Sequence, residues 1–242
     1  MNNTVQIIPL INLAVAFIPV FIVIGILFKW SLNASNALYA VARMLVQLLI
    51  IGYFLMYIFE AGSAWIIIVI LSIMVFASSW IALGTVKDQR LTLYKYAFFS
   101  MAIGGGIALL IVTLCVLQLE PWYWPQYMIP LAGMVFANCM NSVSLAAERL
   151  NAEIERNVPY DQARNIAMQA SLIPVINSLF AVGLVSLPGM MTGQILSGVS
   201  PLIAARYQIM VMCMIFGSGG IASACFLVLV KSSFIKNNKI DG

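Results

Sequence analysis

Charge is what this chain has least of. Only 8% of its 242 residues are Asp, Glu, Lys or Arg, 63% are hydrophobic, and the mean hydropathy is +1.02. A soluble domain carries about 25% charged residues, so twelve basic and eight acidic side chains cannot clothe a water-facing surface. That excludes a soluble globular domain, a disordered chain and a nucleic-acid binder. Histidine is absent, which removes the commonest transition-metal ligand and the neutral-pH proton switch. The four cysteines, Cys115, Cys139, Cys213 and Cys225, lie in apolar stretches without a CxxC pair; they read as small buried hydrophobes.

Catalytic motifs are also missing. Without a Gly-Lys dipeptide there is no phosphate-binding loop. Without histidine there is no Ser-His-Asp or Cys-His arrangement. The five Glu and three Asp fall in connections or at helix ends. An intramembrane aspartyl enzyme needs a buried carboxylate pair, and a proton-coupled antiporter an ionisable group near mid-membrane; Arg43 is the only candidate for the latter. The chain is therefore expected to be neither an enzyme nor the holder of a cofactor.

Long apolar runs fill the rest. A membrane-spanning helix needs about 20 mostly apolar residues. Seven stretches qualify or nearly so: Ile7–Phe28, Asn36–Phe59, Ala64–Gly84, Ala97–Leu119, Met128–Ala147, Leu172–Leu187 and Ile203–Val230. Pro19 should kink the first. The first also lacks the basic flank and the short apolar run of a cleavable signal. The last is longer than one perpendicular crossing and is expected to tilt, or to break at Gly217-Ser218-Gly219-Gly220.

Basic residues set the expected orientation. If the amino terminus is outside and the seven stretches alternate, the inner connections hold Lys29, Lys87, Arg90, Lys95, Arg149, Arg156, Arg164, Lys231, Lys236 and Lys239. Arg43 can snorkel to the same side, leaving Arg206 outside. The outer connections carry Glu60 and the aromatic run Glu120-Pro121-Trp122-Tyr123-Trp124-Pro125. Both features match the membrane rules for basic and aromatic residues. The expected fold is all-α: a polytopic membrane protein, 1–242, with about seven spans, N-out and C-in.

Three segments could carry function. The inner insert Glu148–Arg164 reads as helix, turn, helix, the fifth span running on to about Arg156 and Pro159 opening the next helix near Asp161. It is either a knob for a cytoplasmic motor or an ordinary solvated loop. The fifth span carries Asn138, Asn141 and Ser142 on one helical face. Such polar groups either bond to neighbouring helices or line a wet path. The run Pro188-Gly189-Met190-Met191-Thr192-Gly193-Gln194 is too apolar for a free loop and too short to span. It is either a re-entrant gate or a packing corner, with Gly189 and Gly193 allowing close backbone approach.

Leu172-Ile173-Pro174-Val175-Ile176-Asn177-Ser178, then Val182 through Leu196 with its unbroken Leu187-Pro188-Gly189-Met190-Met191-Thr192-Gly193-Gln194-Ile195, and then Ala205-Arg206-Tyr207-Gln208-Ile209, resemble the hallmark stretch of the bacterial iron-export ABC transporter permease family, which includes the plant aluminium-tolerance permeases. The resemblance implies a plasma-membrane permease, working as a homodimer with two copies of a separate ATP-binding subunit that hold ATP and Mg. It implies a coupling segment at 147–171, with Glu148, Glu153, Arg156, Pro159, Tyr160, Asp161 and Arg164 facing the motor. The family usually has Gly-Ala-Thr-Pro before the second helix; this chain has Arg156-Asn157-Val158-Pro159, keeping the proline but not the small turn residue or the Thr cap. The substrate stays open. Iron favours carboxylate, imidazole and water, whereas the spans offer amides, hydroxyls, Cys139 and methionines, so a softer metal or a small organic solute is the alternative. The rival classes are a membrane scaffold or sensor, and an ion-driven carrier.

Overall fold

The structure is a computed structural model that describes residues 8–60 and 62–232. The beginning of the first expected span, and Lys236 and Lys239, lie outside the described residues. Among the described residues nine α-helices follow one another: α1 (Leu10–Val15), α2 (Ile18–Lys29), α3 (Ala34–Glu60), α4 (Ala64–Ala82), α5 (Arg90–Leu110), α6 (Pro125–Glu155), α7 (Tyr160–Ala181), α8 (Gly189–Leu196) and α9 (Pro201–Leu229). The fold divides into two compact units, one ending just after α3 and one beginning at Gly62.

In the first unit, the break between α1 and α2 lies just ahead of Pro19. Proline has no N–H to return to the carbonyl four residues back, Val15, and its ring crowds that carbonyl. α2 ends at Lys29 with Ser31 in the left-handed region (φ 56°) and its amide on Phe28 O at 3.1 Å. Asn33 Oδ1 then accepts from the Ser35 hydroxyl (2.9 Å) and the Asn36 amide (3.1 Å), capping the start of α3. None of α1, α2 or α3 contains a buried residue. Helices that are apolar all round and uncovered by protein suit a lipid solvent.

The second unit is a bundle of α4, α5, α6, α7 and α9, with α8 against the start of α9. Its core is made of side chains such as Ile67, Met101, Val135, Leu150, Val211 and Phe226. Small residues let the helices approach closely. A Cβ on Gly104 would lie 2.7 Å from the Ala222 amide nitrogen, and one on Gly105 would lie 2.5 Å from the Phe136 ring. α5 passes into a π-helical turn at Ile111–Val116.

Among the described residues, six helical segments are long and apolar enough to cross a membrane: Leu10–Lys29, Ala34–Glu60, Ala64–Thr85, Lys87–Val116, Pro125–Glu155 and Pro201–Leu229. The expected sixth stretch, Leu172–Leu187, forms the second half of α7, whose first half is polar. It stops at Ala181 rather than Leu187, because Val182 turns extended and Gly183 (φ 82°) closes a tight turn through its amide to Ser186 O at 2.9 Å. The expected break at Gly217–Gly220 does not occur: α9 is continuous. There glycine provides room for a neighbour instead of flexibility, since a Cβ on Gly219 would sit 2.5 Å from Asn138 Nδ2 and 2.8 Å from Ser142 Oγ.

Candidate functional site

α6 has 31 residues, about 46 Å at 1.5 Å per residue. That exceeds a hydrocarbon core of about 30 Å, and the excess is the polar run through Glu155. The helix ends as its sequence suggests, with Arg156 as C-cap. Asn157 takes the left-handed conformation (φ 61°), its amide reaches Ile154 O (2.9 Å), and the Val158 amide reaches Glu153 O (3.1 Å). This pair of reversed bonds is a Schellman ending, in which glycine is the usual left-handed residue and asparagine the next best. Asn157 thus supplies the left-handed residue that closes the turn. α7 starts directly after Pro159, without a side-chain cap and with Asp161 in its first turn, where the helix dipole favours a carboxylate.

The knob is braced from within. Glu153 is buried, and its carboxylate pairs with Arg149 (2.7 Å) and Arg156 (3.6 Å). Of the expected docking residues it is the one turned inward, bonding to its own helix. Glu148, Arg156, Pro159 and Asp161 are exposed, and Tyr160 and Arg164 are half-buried. Asp161 binds Arg164 and, 70 residues along the chain, Lys231 just past α9, each at 3.2 Å. The Tyr160 hydroxyl donates to Leu227 O on α9. Burial pushes that hydroxyl up to about 12, with nearby Arg164 pulling it back, so it stays protonated and a donor. Gln89 Nε2 donates to Asn151 Oδ1 (2.9 Å), whose amide donates to Glu155 (2.7 Å), joining the α4–α5 connection to α6. Arg90 lies over the Trp80 ring (3.8 Å to its centroid) and donates to the Trp80 carbonyl. Lys87, Arg90, Arg149, Arg156, Arg164 and Lys231 therefore share one end of this bundle.

The polar stripe of α6 divides. Asn138 Nδ2 donates to Ile215 O on α9 at 2.7 Å, and Ser142 is buried against Gly219. Asn141 is exposed, away from both. The residues expected on one face thus split between a helix-to-helix bond and an outer surface. The Pro188–Gln194 run forms the start of α8. Among the described residues nothing lies within 4 Å of a Cβ placed on Gly189 or Gly193, so the close approach expected there is not used within this chain. Thr192 Oγ1 bonds back to Pro188 O at 3.2 Å.

Two cavities flank these elements. One of about 510 Å³ lies along α4 and α5, between Phe76 and Phe98 at one end and Trp122 at the other. Its hydroxyls, on Ser72 and Thr113, bond back to Ile68 O (2.8 Å) and Leu109 O (2.7 Å), leaving an apolar groove. The second, about 340 Å³, lies at the opposite end of the bundle from the knob, where α6, α8 and α9 meet; Gln126, Tyr127, Met134, Met190, Tyr207 and Met210 line it. Sequence reading had picked out Met190 alone of these.

Stacked long apolar helices, a polar two-helix projection at one end and glycine-locked crossings define the class: an all-α polytopic membrane protein. The sequence profile of an uncharacterised protein family, UPF0014, matches residues 10–235, and the chain belongs to that family. Its relatives include the UPF0014 membrane protein slr1647 of Synechocystis, 37% identical over 78% of this chain and 80% of that one. The "Probable iron export permease protein FetB" of Escherichia coli is 31% identical over 91% of this chain and 90% of its own. Protein ALUMINUM SENSITIVE 3 of Arabidopsis thaliana is 32% identical, covering 89% and 84%. The family resemblance read from the Leu172–Leu196 stretch is borne out. No solved structure matches.

Proposed function

We propose that this chain is the membrane-spanning permease subunit of an ABC-type transporter in the plasma membrane. A separate ATP-binding subunit supplies the energy, docking on Glu148–Arg164, and the permease works as a homodimer that crosses the membrane seven times, N-out and C-in. Its cargo is a metal cation exported from the cell; iron stands in the name of the Escherichia coli relative. The basic residues gathered at the knob end support this orientation, because Lys and Arg concentrate on the cytoplasmic side.

One observation carries the reading. Arg156, Asn157, Pro159 and Asp161 are exposed at the tip, which is tied to α9 by Tyr160 to Leu227 and to the residue just past α9 by Asp161 to Lys231. A push on the tip therefore reaches α6, α7 and α9 together. The chain offers no nucleotide-binding motif of its own, so the push has to come from another protein.

The test is co-reconstitution with the cognate ATPase. Charge reversal at Asp161 or Arg164 is expected to uncouple ATP hydrolysis from transport while leaving expression intact. Unchanged coupling in both variants overturns the docking assignment. A scaffold or sensor would bind its partner through the same knob without any solute-dependent ATPase activity. An ion-driven carrier would move solute in ATPase-free vesicles under an ion gradient.

A further inference from the structure

We propose that the cavity between α6, α8 and α9 is a binding site for a soft monovalent cation of the copper(I) or silver(I) class, held by the thioethers of Met134, Met190 and Met210. The three residues come from three helices and from distant parts of the sequence, so only the fold brings them to one cavity. Methionine is 14 of 242 residues but three of the nine around this cavity; the chain average predicts fewer than one.

Thioether sulfur is a neutral, soft donor. It holds soft d¹⁰ cations and competes poorly for hard ones, which prefer carboxylate, imidazole or water. The lining contains no carboxylate, and the chain has no histidine. A hydrated iron ion entering here would shed water and gain no replacement of its own kind. A monovalent soft cation loses little water and gains sulfur, and Tyr127 and Tyr207 in the same wall add aromatic side chains, which suit positive charge better than a purely aliphatic lining does. Neutral thioethers also bind less tightly than thiolates, which suits a cation that must leave again.

The ordinary use of methionine is to fill gaps in a core. Met134, Met190 and Met210 are each only half-buried, and about 340 Å³ stays open beside them. Flexible side chains employed as filler would have closed that space.

The inference rests on the permease reading for its meaning as cargo selection, but its test does not. Purified permease without any ATPase, its four free cysteines replaced by serine so that no thiol competes, is titrated in chloride-free buffer with silver nitrate and weighed by native mass spectrometry. One silver ion per chain is expected, with M134L/M190L/M210L weakening binding by at least about tenfold. M44L/M56L, on exposed positions of α3, keeps full binding. Should the triple variant fail to fold, selenium-edge absorption of selenomethionine-labelled wild type with silver added must show a selenium–metal shell. Absence of stoichiometric binding, equal binding in the triple variant, equal loss in M44L/M56L, absence of that shell, or a preference for zinc(II) over silver(I) each overturns the site. None of these outcomes touches the coupling assignment, which is read with the ATPase present.

Discussion

Gly219 is the position where adding one methyl group tests the packing most directly. A Cβ there would lie 2.5 Å from Asn138 Nδ2 and 2.8 Å from Ser142 Oγ. Ordinary carbon contacts begin at about 3.5 Å, so Asn138 has to withdraw by about an ångström. Its donation to Ile215 O at 2.7 Å is then lost. Overpacking of this kind costs about 1–3 kcal/mol. An interhelical hydrogen bond in a membrane adds about 0.6 kcal/mol. Gly219→Ala should therefore destabilise the protein by about 2–3 kcal/mol. Cys139, buried next along α6, reports the separation: with Cys115, Cys213 and Cys225 replaced, its reaction with a thiol-reactive fluorophore follows opening of the α6–α9 pair during a thermal ramp. Asn138→Ala removes the group that the methyl strikes, so Gly219→Ala should cost about 1 kcal/mol or less in that background. A Gly219→Ala variant as stable as wild type, or one equally damaged with and without Asn138, refutes the packing account.

Two further outcomes can be checked by the same thermal method. Asn157→Gly should be neutral or slightly stabilising, because glycine suits φ 61°, whereas Asn157→Val should lose about 1–2 kcal/mol at a position hostile to β-branched side chains. Around the buried carboxylate, Arg149→Ala should harm stability more than Glu153→Gln. The former leaves Glu153 with only the 3.6 Å partner and costs about 2–3 kcal/mol, while the latter removes the buried charge itself and costs about 1–2 kcal/mol. The reverse order would mean that Glu153 does not depend on Arg149.

The parts of this molecule that were legible in the sequence are those fixed by local chemistry. Apolar runs give the long helices, and Pro159 with Asp161 behind it marks the start of α7 to within a residue. Glycine was harder to read. Gly217–Gly220 reads as a weak point when helix propensity alone is considered, but Gly219 is needed because Asn138 and Ser142 occupy the space beside it. The spacing of Asn138, Asn141 and Ser142 correctly implies nearby positions on a helix, yet a face about 100° wide meets α9 on only one side. Glu153 was expected to face the motor with its neighbours; its spacing of four from Arg149 and three from Arg156 was the available clue to internal pairing. Met134 and Met210 carried no local signal, because nothing in a linear pattern says that α6, α8 and α9 converge. Lys231 sits 70 residues from Asp161 and was equally invisible.

The glycine contacts along α5 and α9 restrict how the bundle can rearrange. Ala222 occupies the notch left by Gly104, the Phe136 ring the notch left by Gly105, and Asn138 with Ser142 the notch left by Gly219. Sliding either helix lengthwise by one turn would bring the same-face side chains Ser100 or Ala108 of α5, or Ile215 or Ser223 of α9, against a space shaped for hydrogen alone. Piston strokes of that size among α5, α6 and α9 are thereby opposed, and a force applied at the Glu148–Arg164 end is expected to swing these three shafts as one keyed block.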